Sequence, residues 1–282
     1  MSAASGLAVV DGHVVVVADD THHLGVFAGG STTGGRSLRV IAGDLPDDPI
    51  ERKRQKPDFE ALTTIPPSSA FPNGALLALG SGSTPSREVA VLIELEPGGA
   101  LSHRVHERML SALYDPLRDR LSDLNIEGAF IFAGDLVLLS RANGSSPDNH
   151  IARYALDGLL PWLSGASTAE VASDSVTPFR VGEIDGVPLG LTDGAPHPNG
   201  GWVFSAAAED TPDSYNDGTL AGAAVGHVSA EGELMFLARL EPNAKVEGIA
   251  ASVEANHVTL TMVTDGDDPT LPALLLTATL PG

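Results

Sequence analysis

Short apolar runs, each closed by turn residues, follow one another along the whole chain. A run of this length with β-branched residues and flanking Gly, Asn or Asp is typical of a β-strand. The runs come in sets, and each set begins with a polar residue, a small residue and an apolar stretch. The repeated stretches are Ser5-Gly6-Leu7, Asp58-Phe59-Glu60-Ala61-Leu62, Asn125-Ile126-Glu127-Gly128-Ala129, Leu191-Thr192-Asp193-Gly194-Ala195 and Lys245-Val246-Glu247-Gly248-Ile249.

Each repeated stretch is followed by a turn and a second run, which predicts a β-hairpin. The second runs cover 14–18, 76–79, 136–140, 202–206 and 258–263. The third runs cover 24–27, 89–95, 150–156, 221–228 and 274–280. A fourth run is visible in four of the sets, at 38–41, 101–105, 179–181 and 234–240.

Antiparallel units of four short strands, repeated along the chain without helices between them, indicate a β-propeller. The polar residues of the repeat stand at positions 5, 60, 127, 193 and 247. They predict an all-β fold with five four-stranded blades, the last lacking its outer strand, in a single domain over 1–282. A six-bladed propeller is the alternative, if 158–185 contains a further blade. A β-sandwich would not place the same motif at the start of every unit.

Three stretches depart from this pattern. The stretch 107–121 has apolar residues with a period near 3.6 and contains Pro116, so it predicts one inserted amphipathic helix with an interruption. If that helix is exposed around Leu113 and Leu121, it offers a surface for a protein partner. The charged stretch 47–57 and the Ser- and Gly-rich stretch 158–175, which carries Trp162, are predicted to be loops.

The chain is strongly acidic, with a formal charge of −21 and only three lysines, Lys53, Lys56 and Lys245. Such a field repels phosphates, so neither a nucleic acid nor an anionic membrane is expected as a partner. It is compatible with cation binding, with a salt-adapted source, or with a surface that only aids solubility. There is no cysteine, which excludes disulfides and thiolate metal sites. No secretory signal or long apolar run is visible, so a cytoplasmic location is expected, although a removed leader would leave the same picture.

The repeated polar residues are predicted to meet on the propeller axis. The first strand of a blade lines the central channel, and side chains two apart on a strand point the same way. Hard carboxylate and amide oxygens suit Ca²⁺, which would also relieve the repulsion between acids. The predicted metal ligands are Glu60, Asn125, Glu127, Asp193 and Glu247. Asn143 is a second neutral donor, zinc is less favoured, and a water-filled channel without an ion remains the alternative.

The loops from second to third strand are polar as well, and in a propeller they open on the same face as the starts of the first strands. They cover 19–23, 81–83, 141–143, 209–210 and 265–268. Two sets of polar residues therefore converge on one mouth, which is the default place for a ligand. Glu127 is the predicted general base there, and Lys245 or Arg141 the group that orients an anionic small-molecule substrate. A non-catalytic propeller that binds a ligand or a protein on this face is the alternative.

The repeated stretches, Ser5-Gly6-Leu7 and Asn125-Ile126-Glu127-Gly128 among them, resemble those of a group of uncharacterised bacterial propeller proteins. That group is similar to the esterase-like propeller domain associated with phytases and, more remotely, to calcium-dependent lactonase propellers. The resemblance implies a ring of channel acids, a calcium site and hydrolysis of an ester, lactone or phosphoester. The lactonases have an Asn-rich ring with a catalytic His or Asp, and only Asn125 and Asn143 match it in residue type. Fold analogy alone does not assign an activity.

Overall fold

The computed structural model describes residues 1–29, 31, 34–142, 148–211, 218–241, 243–254, 257–268 and 270–280. Over these residues it contains twenty strands, three short helices and a 3-10 turn at Pro85–Arg87. The strands form five antiparallel sheets, and the fold is a five-bladed β-propeller. The prediction of five blades is confirmed, and the six-bladed alternative is wrong.

Blades 1 and 2 have four strands each, in sequential order from the axis outwards. Blade 1 consists of β1 (Ala4–Val10), β2 (His13–Ala18), β3 (His23–Ala28) and β4 (Arg36–Arg39). Helix α1 (Pro49–Gln55) follows. Blade 2 consists of β5 (Phe59–Ile65), β6 (Ala75–Gly80), β7 (Val89–Leu95) and β8 (Leu101–Met109), and leads into α2 (Ser111–Arg118).

Blades 3 to 5 follow the same plan with local differences. Blade 3 consists of β9 (Ile126–Phe132), β10 (Asp135–Ser140), β11 (Asn149–Ala155), α3 (Leu156–Leu163) and β12 (Ser175–Phe179). Blade 4 consists of β13 (Glu183–Ile184), β14 (Val187–Pro196), β15 (Trp202–Asp210), β16 (Thr219–Val228) and β17 (Leu234–Arg239). Blade 5 consists of β18 (Val246–Glu254), β19 (His257–Thr264) and β20 (Leu275–Leu280), and in the described part of the chain it has no outer strand, as predicted.

The inner strands close the ring. Each of β1, β5, β9, β14 and β18 contacts the inner strand of the next blade, and β18 contacts β1. Apolar clusters fill the spaces between neighbouring blades. Phe59, Ile126 and Val246, which directly precede the bulged glutamates of their blades, are fully buried in these clusters.

The predicted helix at 107–121 begins later than expected, at Ser111, and it is buried where an exposed surface was expected. Residues 107–109 extend β8, where Met109 pairs with Val89, because the strand ladder with β7 outweighs the helical period. Helix α2 begins at Ser111. Leu113 and Leu117 on it are fully buried between blades 2 and 3, so this helix is not the exposed partner surface that the sequence suggested.

The two predicted loops also contain helices, which corrects the expectation of a single inserted helix. Helix α1 is capped by Asp48, whose carboxylate accepts hydrogen bonds from the N–H groups of Ile50 and Glu51, and Pro49 fills its first turn. Helix α3 buries Trp162 against the core. None of the helices in the described residues is both long enough and apolar enough to span a membrane.

Every inner strand carries a β-bulge, which lies in the middle of β14 and near the start of the other four strands. The register against the second strand shifts across one residue in each blade, and that residue stands outside the ladder. The bulged residues are Ser5, Glu60, Glu127, Thr192 and Glu247. A bulge re-aims the side chain it carries. Four of the five bulged residues, all but Thr192, line the cavity on the axis.

Crowding of the inner strands explains the small residue that follows the bulge. A Cβ on Gly128 would lie 2.8 Å from the Cα of Asp193, and a Cβ on Gly248 would lie 2.8 Å from the backbone nitrogen of Leu7. Only a residue without a side chain lets neighbouring strands approach this closely.

Candidate functional site

A cavity of about 280 Å³ opens on the axis at the starts of the inner strands. The inner strands and the residues just before them contribute Ser5, Asp58, Glu60, Asn125, Glu127 and Glu247. The loops after the second strands contribute Asp19, Arg141, Asp265 and Asp267, and the end of the second strand of blade 4 contributes Glu209. Most residues of the two predicted sets therefore meet at one mouth, but no residue of the loop 81–83 lines the cavity.

The cavity is lined by charges of both signs. Ten of its lining residues are Asp or Glu and six are Lys or Arg. The six include all three lysines of the chain, Lys53, Lys56 and Lys245. In a protein with 37 acids and 16 bases, this gathering of lysines is specific to the cavity rather than a feature of the whole surface.

On one side of the cavity lies a carboxylate triad, Asp19, Asp58 and Glu60. One oxygen from each lies within 4.8 Å of the others. Two basic side chains form ion pairs with members of the triad. Lys56 Nζ contacts Asp19 and lies 2.8 Å from Asp58 Oδ1, and Arg87 Nη1 lies 2.9 Å from Asp58 Oδ2. Glu60 has no ion pair or hydrogen bond from its carboxylate among the described residues, which leaves it available to a ligand.

The backbone holds Asp58 in an unusual conformation. Its φ is +54°, in the left-handed region that Asp tolerates better than most residues. Its N–H donates to Asp19 O at 3.1 Å, and the hydroxyl of Ser81 donates to its Oδ2 at 2.5 Å. Backbone strain of this kind is held by the surrounding contacts and concentrates at functional sites.

On the other side lies a glutamate cluster, Glu127, Glu209 and Glu247, with Arg141 and Lys245 between them. Arg141 donates to Glu127 Oε2 at 3.3 Å and to Glu209 Oε2 at 2.6 Å. Lys245 Nζ lies 3.3 Å from Glu247 Oε1 and 3.7 Å from Glu209 Oε2. All five side chains are nearly buried, so these are ion pairs of the interior rather than of the surface.

Crowding raises the pKa of several of these acids. Burial, followed by the charges of Asp58, Glu127 and Asp19, raises the pKa of Glu60 well above its usual range. Burial also raises the pKa of Asp19 to about 6, although Lys56 opposes the shift. The pKa of Glu127 rises to about 7, because burial and Glu247 outweigh Arg141. A carboxyl that titrates near neutral pH can accept or donate a proton there.

The structure brings most of the predicted site residues together. Glu60, Glu127, Glu247, Arg141 and Lys245 all line the cavity, as does Asn125. The amide nitrogen of Asn125 donates to Glu127 Oε1 at 2.5 Å, so this side chain supports Glu127 directly. Asn143 lies outside the described residues.

Asp193 does not occupy the predicted place on the channel wall, and this expectation is corrected. The bulged residue of blade 4 is Thr192, one position earlier, and Asp193 is not among the residues that line the cavity. Its Oδ1 accepts the N–H of Gly194 at 2.7 Å, and its Oδ2 accepts the N–H of Ile249 at 2.9 Å. A further backbone hydrogen bond joins it to Ala129. Asp193 therefore ties blades 3, 4 and 5 together.

Sequence reasoning did not select Glu209, Asp19 and Asp58 as site residues, although it placed all three near the mouth. Glu209 precedes the loop after the second strand of blade 4, and it is the residue that joins Arg141 to Lys245. One signal in the sequence could have found Glu209: several blades have a carboxylate at the end of the second strand or directly after it, as Asp19 and Asp265 show.

The stability of the protein is expected to fall as the pH rises from about 5 to about 8, because Asp19, Glu127 and Asp265 bind protons more tightly in the folded state than in the unfolded chain. The pKa values of Glu127 and Asp265 rise to about 7, and that of Asp19 to about 6, mainly through burial. A raised pKa favours the folded state below that value, and the contribution is lost as the pH passes through it. Urea unfolding at a series of pH values measures this, and a stability that increases over the interval would contradict it.

The fold and the cavity define a five-bladed propeller with an ion-paired, acidic site on its axis. Residues 52–269 match a family of unknown function, DUF6910, and the chain belongs to this family. No curated protein shows significant sequence similarity to the chain.

Solved structures with a similar fold are propellers of several kinds. An α-L-arabinanase from Cellvibrio cellulosa, complexed with arabinohexaose, is 10% identical, with 99% of this chain and 92% of that chain covered and a TM-score of 0.46. A candidate glycoside hydrolase from Parabacteroides distasonis is 12% identical, with 98% and 86% covered and a TM-score of 0.44. An ancestral GH74 enzyme is 12% identical over 98% of this chain, with a TM-score of 0.39, and this chain spans 33% of its length.

These similarities concern the fold alone. At 10–12% identity and these TM-scores, no residue role passes from those proteins to this chain. None of the three is named as a phytase or a lactonase, and the resemblance to those propellers stays a prediction.

Proposed function

We propose that the axial cavity binds a divalent cation, calcium by its chemistry, and hydrolyses an ester, lactone or phosphoester beside it. The observation that supports this is the carboxylate triad, in which three acids place oxygens within 4.8 Å of one another. Carboxylate oxygens are the ligands that Ca²⁺ prefers. Burial, and after it the charges of neighbouring carboxylates such as Asp58, raise the pKa values of Glu60 and Asp19, and a bound cation would relieve the repulsion.

Lys56 bears on whether the triad can hold a metal ion, because it already occupies part of the triad. Its ammonium already contacts Asp19 and Asp58, so a calcium ion would compete with it for these oxygens. Glu60, the member without a partner, would be the first ligand. From the glutamate cluster, Glu127 and Glu247 are the further ligands proposed from the sequence. Asp193 points elsewhere and is left out of the proposed set.

Hydrolysis in this site would use Glu127 as the general base. With a pKa of about 7, its carboxylate can take the proton of a water molecule whose oxygen bonds to the ester carbon or to phosphorus. The bond to the leaving alcohol breaks, and that oxygen receives the proton from Glu127. Arg141 and Lys245 lie beside it, and their charge favours the negative oxygen that develops. A bound calcium ion would polarise the same oxygen.

Calcium is expected to raise the melting temperature by roughly 5 °C at about a hundredfold excess over its Kd, relative to EDTA. In Lys56→Met the competing ammonium is gone, so the melting temperature should fall in EDTA and respond more strongly to calcium. Arg54→Met is the matched control, since Arg54 is exposed on α1 and pairs with Glu51 instead of the triad. Melting temperatures unmoved by calcium and EDTA in both the wild type and Lys56→Met would refute the metal site.

A non-catalytic ligand-binding propeller is the second candidate, and one observation favours it. Lys56, Arg87, Arg141 and Lys245 are each already paired with acids of the cavity wall. These four bases are therefore already held by the wall itself, as in a site built to hold a ligand without reacting. Turnover of an ester or phosphoester panel with calcium, lost in folded Glu127→Gln, would support the enzyme. Binding without turnover would support the second candidate.

A further inference from the structure

Glu247, which lines the cavity, has one buried carboxylate oxygen without a hydrogen-bond partner among the described residues. The residue is 4% exposed and lines the cavity wall. Its Oε1 lies 3.3 Å from Lys245 Nζ, whereas its Oε2 accepts no hydrogen bond from any described residue. A buried acceptor of this kind costs free energy unless a donor reaches it. The structure thus lacks one hydrogen-bond donor at this point of the cavity.

The cations around Glu247 do not supply the missing donor. Lys245 is engaged by Glu247 Oε1, by Asp267 Oδ1 at 2.9 Å and by Glu209. Arg141 is engaged by Glu127 and Glu209. Acids outnumber bases by ten to six over the whole lining. What fits here is a ligand that donates hydrogen bonds and carries positive charge, since charge-assisted hydrogen bonds to carboxylates are the strong ones.

The residues of the cavity wall indicate which kind of cationic ligand fits beside Glu247: a metal ion, a quaternary ammonium group or a primary ammonium group. Among the described residues the one group of three carboxylates close enough for a metal is the triad, and Glu247 does not belong to it. No aromatic residue lines the cavity, so the cage that recognises quaternary ammonium groups is absent from the described wall. Lys245 shows that an ammonium group is accommodated against this same carboxylate.

We propose that the cavity binds a small molecule through a primary ammonium group that donates to Glu247 Oε2. The volume of about 280 Å³ limits the ligand to a compact molecule such as a short diamine or amino alcohol. Glu127, beside Glu247, accepts further hydrogen bonds from the ligand or from water. Glu247 lies outside the carboxylate triad, and because it is also proposed above as a further calcium ligand, the subsite is tested in EDTA, where no calcium competes for it.

The probe is putrescine, and butanediol of the same chain length serves as the uncharged comparison. Calorimetric titration is done at pH 7.5 in EDTA, with sodium chloride added to match the ionic strength, so the outcome is independent of calcium. Putrescine is expected to bind with a millimolar or lower Kd, and butanediol is not. Glu247→Gln should weaken the putrescine affinity at least about tenfold, because it removes a charge-assisted hydrogen bond.

Glu231→Gln is the matched control, because Glu231 is exposed and lies away from the cavity, and it should leave the affinity unchanged. Circular dichroism confirms that each variant is folded at the temperature of titration. The comparison of putrescine with butanediol on the wild type needs no variant. It shows whether binding requires the ammonium group even if Glu247→Gln does not fold. Equal binding of the two probes, no binding of putrescine, or undiminished binding by folded Glu247→Gln would each overturn the proposal.

Discussion

Asp193→Ala is expected to lower the free energy of unfolding by about 3–5 kcal/mol, since buried N–H groups without an acceptor cost about 1–3 kcal/mol each. The carboxylate of Asp193 accepts the N–H groups of Gly194 and Ile249 and bonds to the backbone of Ala129. Asp193 is 1% exposed. Burial raises its pKa well above the usual range, against these three hydrogen bonds.

Urea or guanidinium unfolding followed by circular dichroism measures this loss. Asp47→Ala is the control, because Asp47 is exposed, and it should change the free energy of unfolding by less than about 0.5 kcal/mol. The expected effect follows from the role of Asp193 as a tie between blades. A loss below about 1 kcal/mol would show that the three donors find other partners.

Arg141→Met is expected to cost about 3–5 kcal/mol of stability at pH 8, because it leaves buried carboxylates without their cation. Arg141 pairs with Glu127 and Glu209, whose side chains are 8% and 5% exposed. Without Arg141 the pKa of Glu127 should rise above about 7, so protonation would relieve part of the loss at low pH. The destabilisation is therefore expected to be smaller at pH 5.5 than at pH 8.

Arg153→Met provides the comparison, because Arg153 pairs with Asp135 at 2.9 Å at a part-exposed site where both side chains are about 30% exposed. Its loss should cost about 0–1 kcal/mol and should not depend on pH in this way. Equal effects of the two substitutions, or the same cost for Arg141→Met at both pH values, would show that the cluster around Arg141 is solvated like a surface.

Much of the fold could be predicted because the sequence repeats. The second and third strands of every blade lie within a few residues of the predicted runs, and over the described residues blade 5 lacks an outer strand, as predicted. A strand buried on one or both faces must be short, apolar and closed by turns, and this pattern is local. The helices were predicted less well. The stretch 107–109 has a helical period, but its pairing with β7 is a contact between distant residues that no local pattern shows.

Part of the candidate site could be predicted for the same reason. Glu60, Glu127 and Glu247 occupy the repeated position, and they line the cavity as expected. Blade 4 shows the limit, because both Thr192 and Asp193 fit the polar position of the repeat. Which of them forms the bulge is decided by the register against Ser205 and Ala206 on β15.

The sequence by itself determined the propeller, its five blades and the axial position of most of the acids, because each follows from a pattern repeated within a blade. Only the tertiary structure decided the ion pairs between blades, such as Arg141 with Glu209 across 68 residues of chain. It also decided that Asp193 binds backbone N–H groups and that Glu247 Oε2 is buried without a hydrogen-bond partner among the described residues. These depend on ångström-scale distances between residues far apart in the chain, and hydrogen bonds and ion pairs are sensitive to distance in a way that residue type does not reveal.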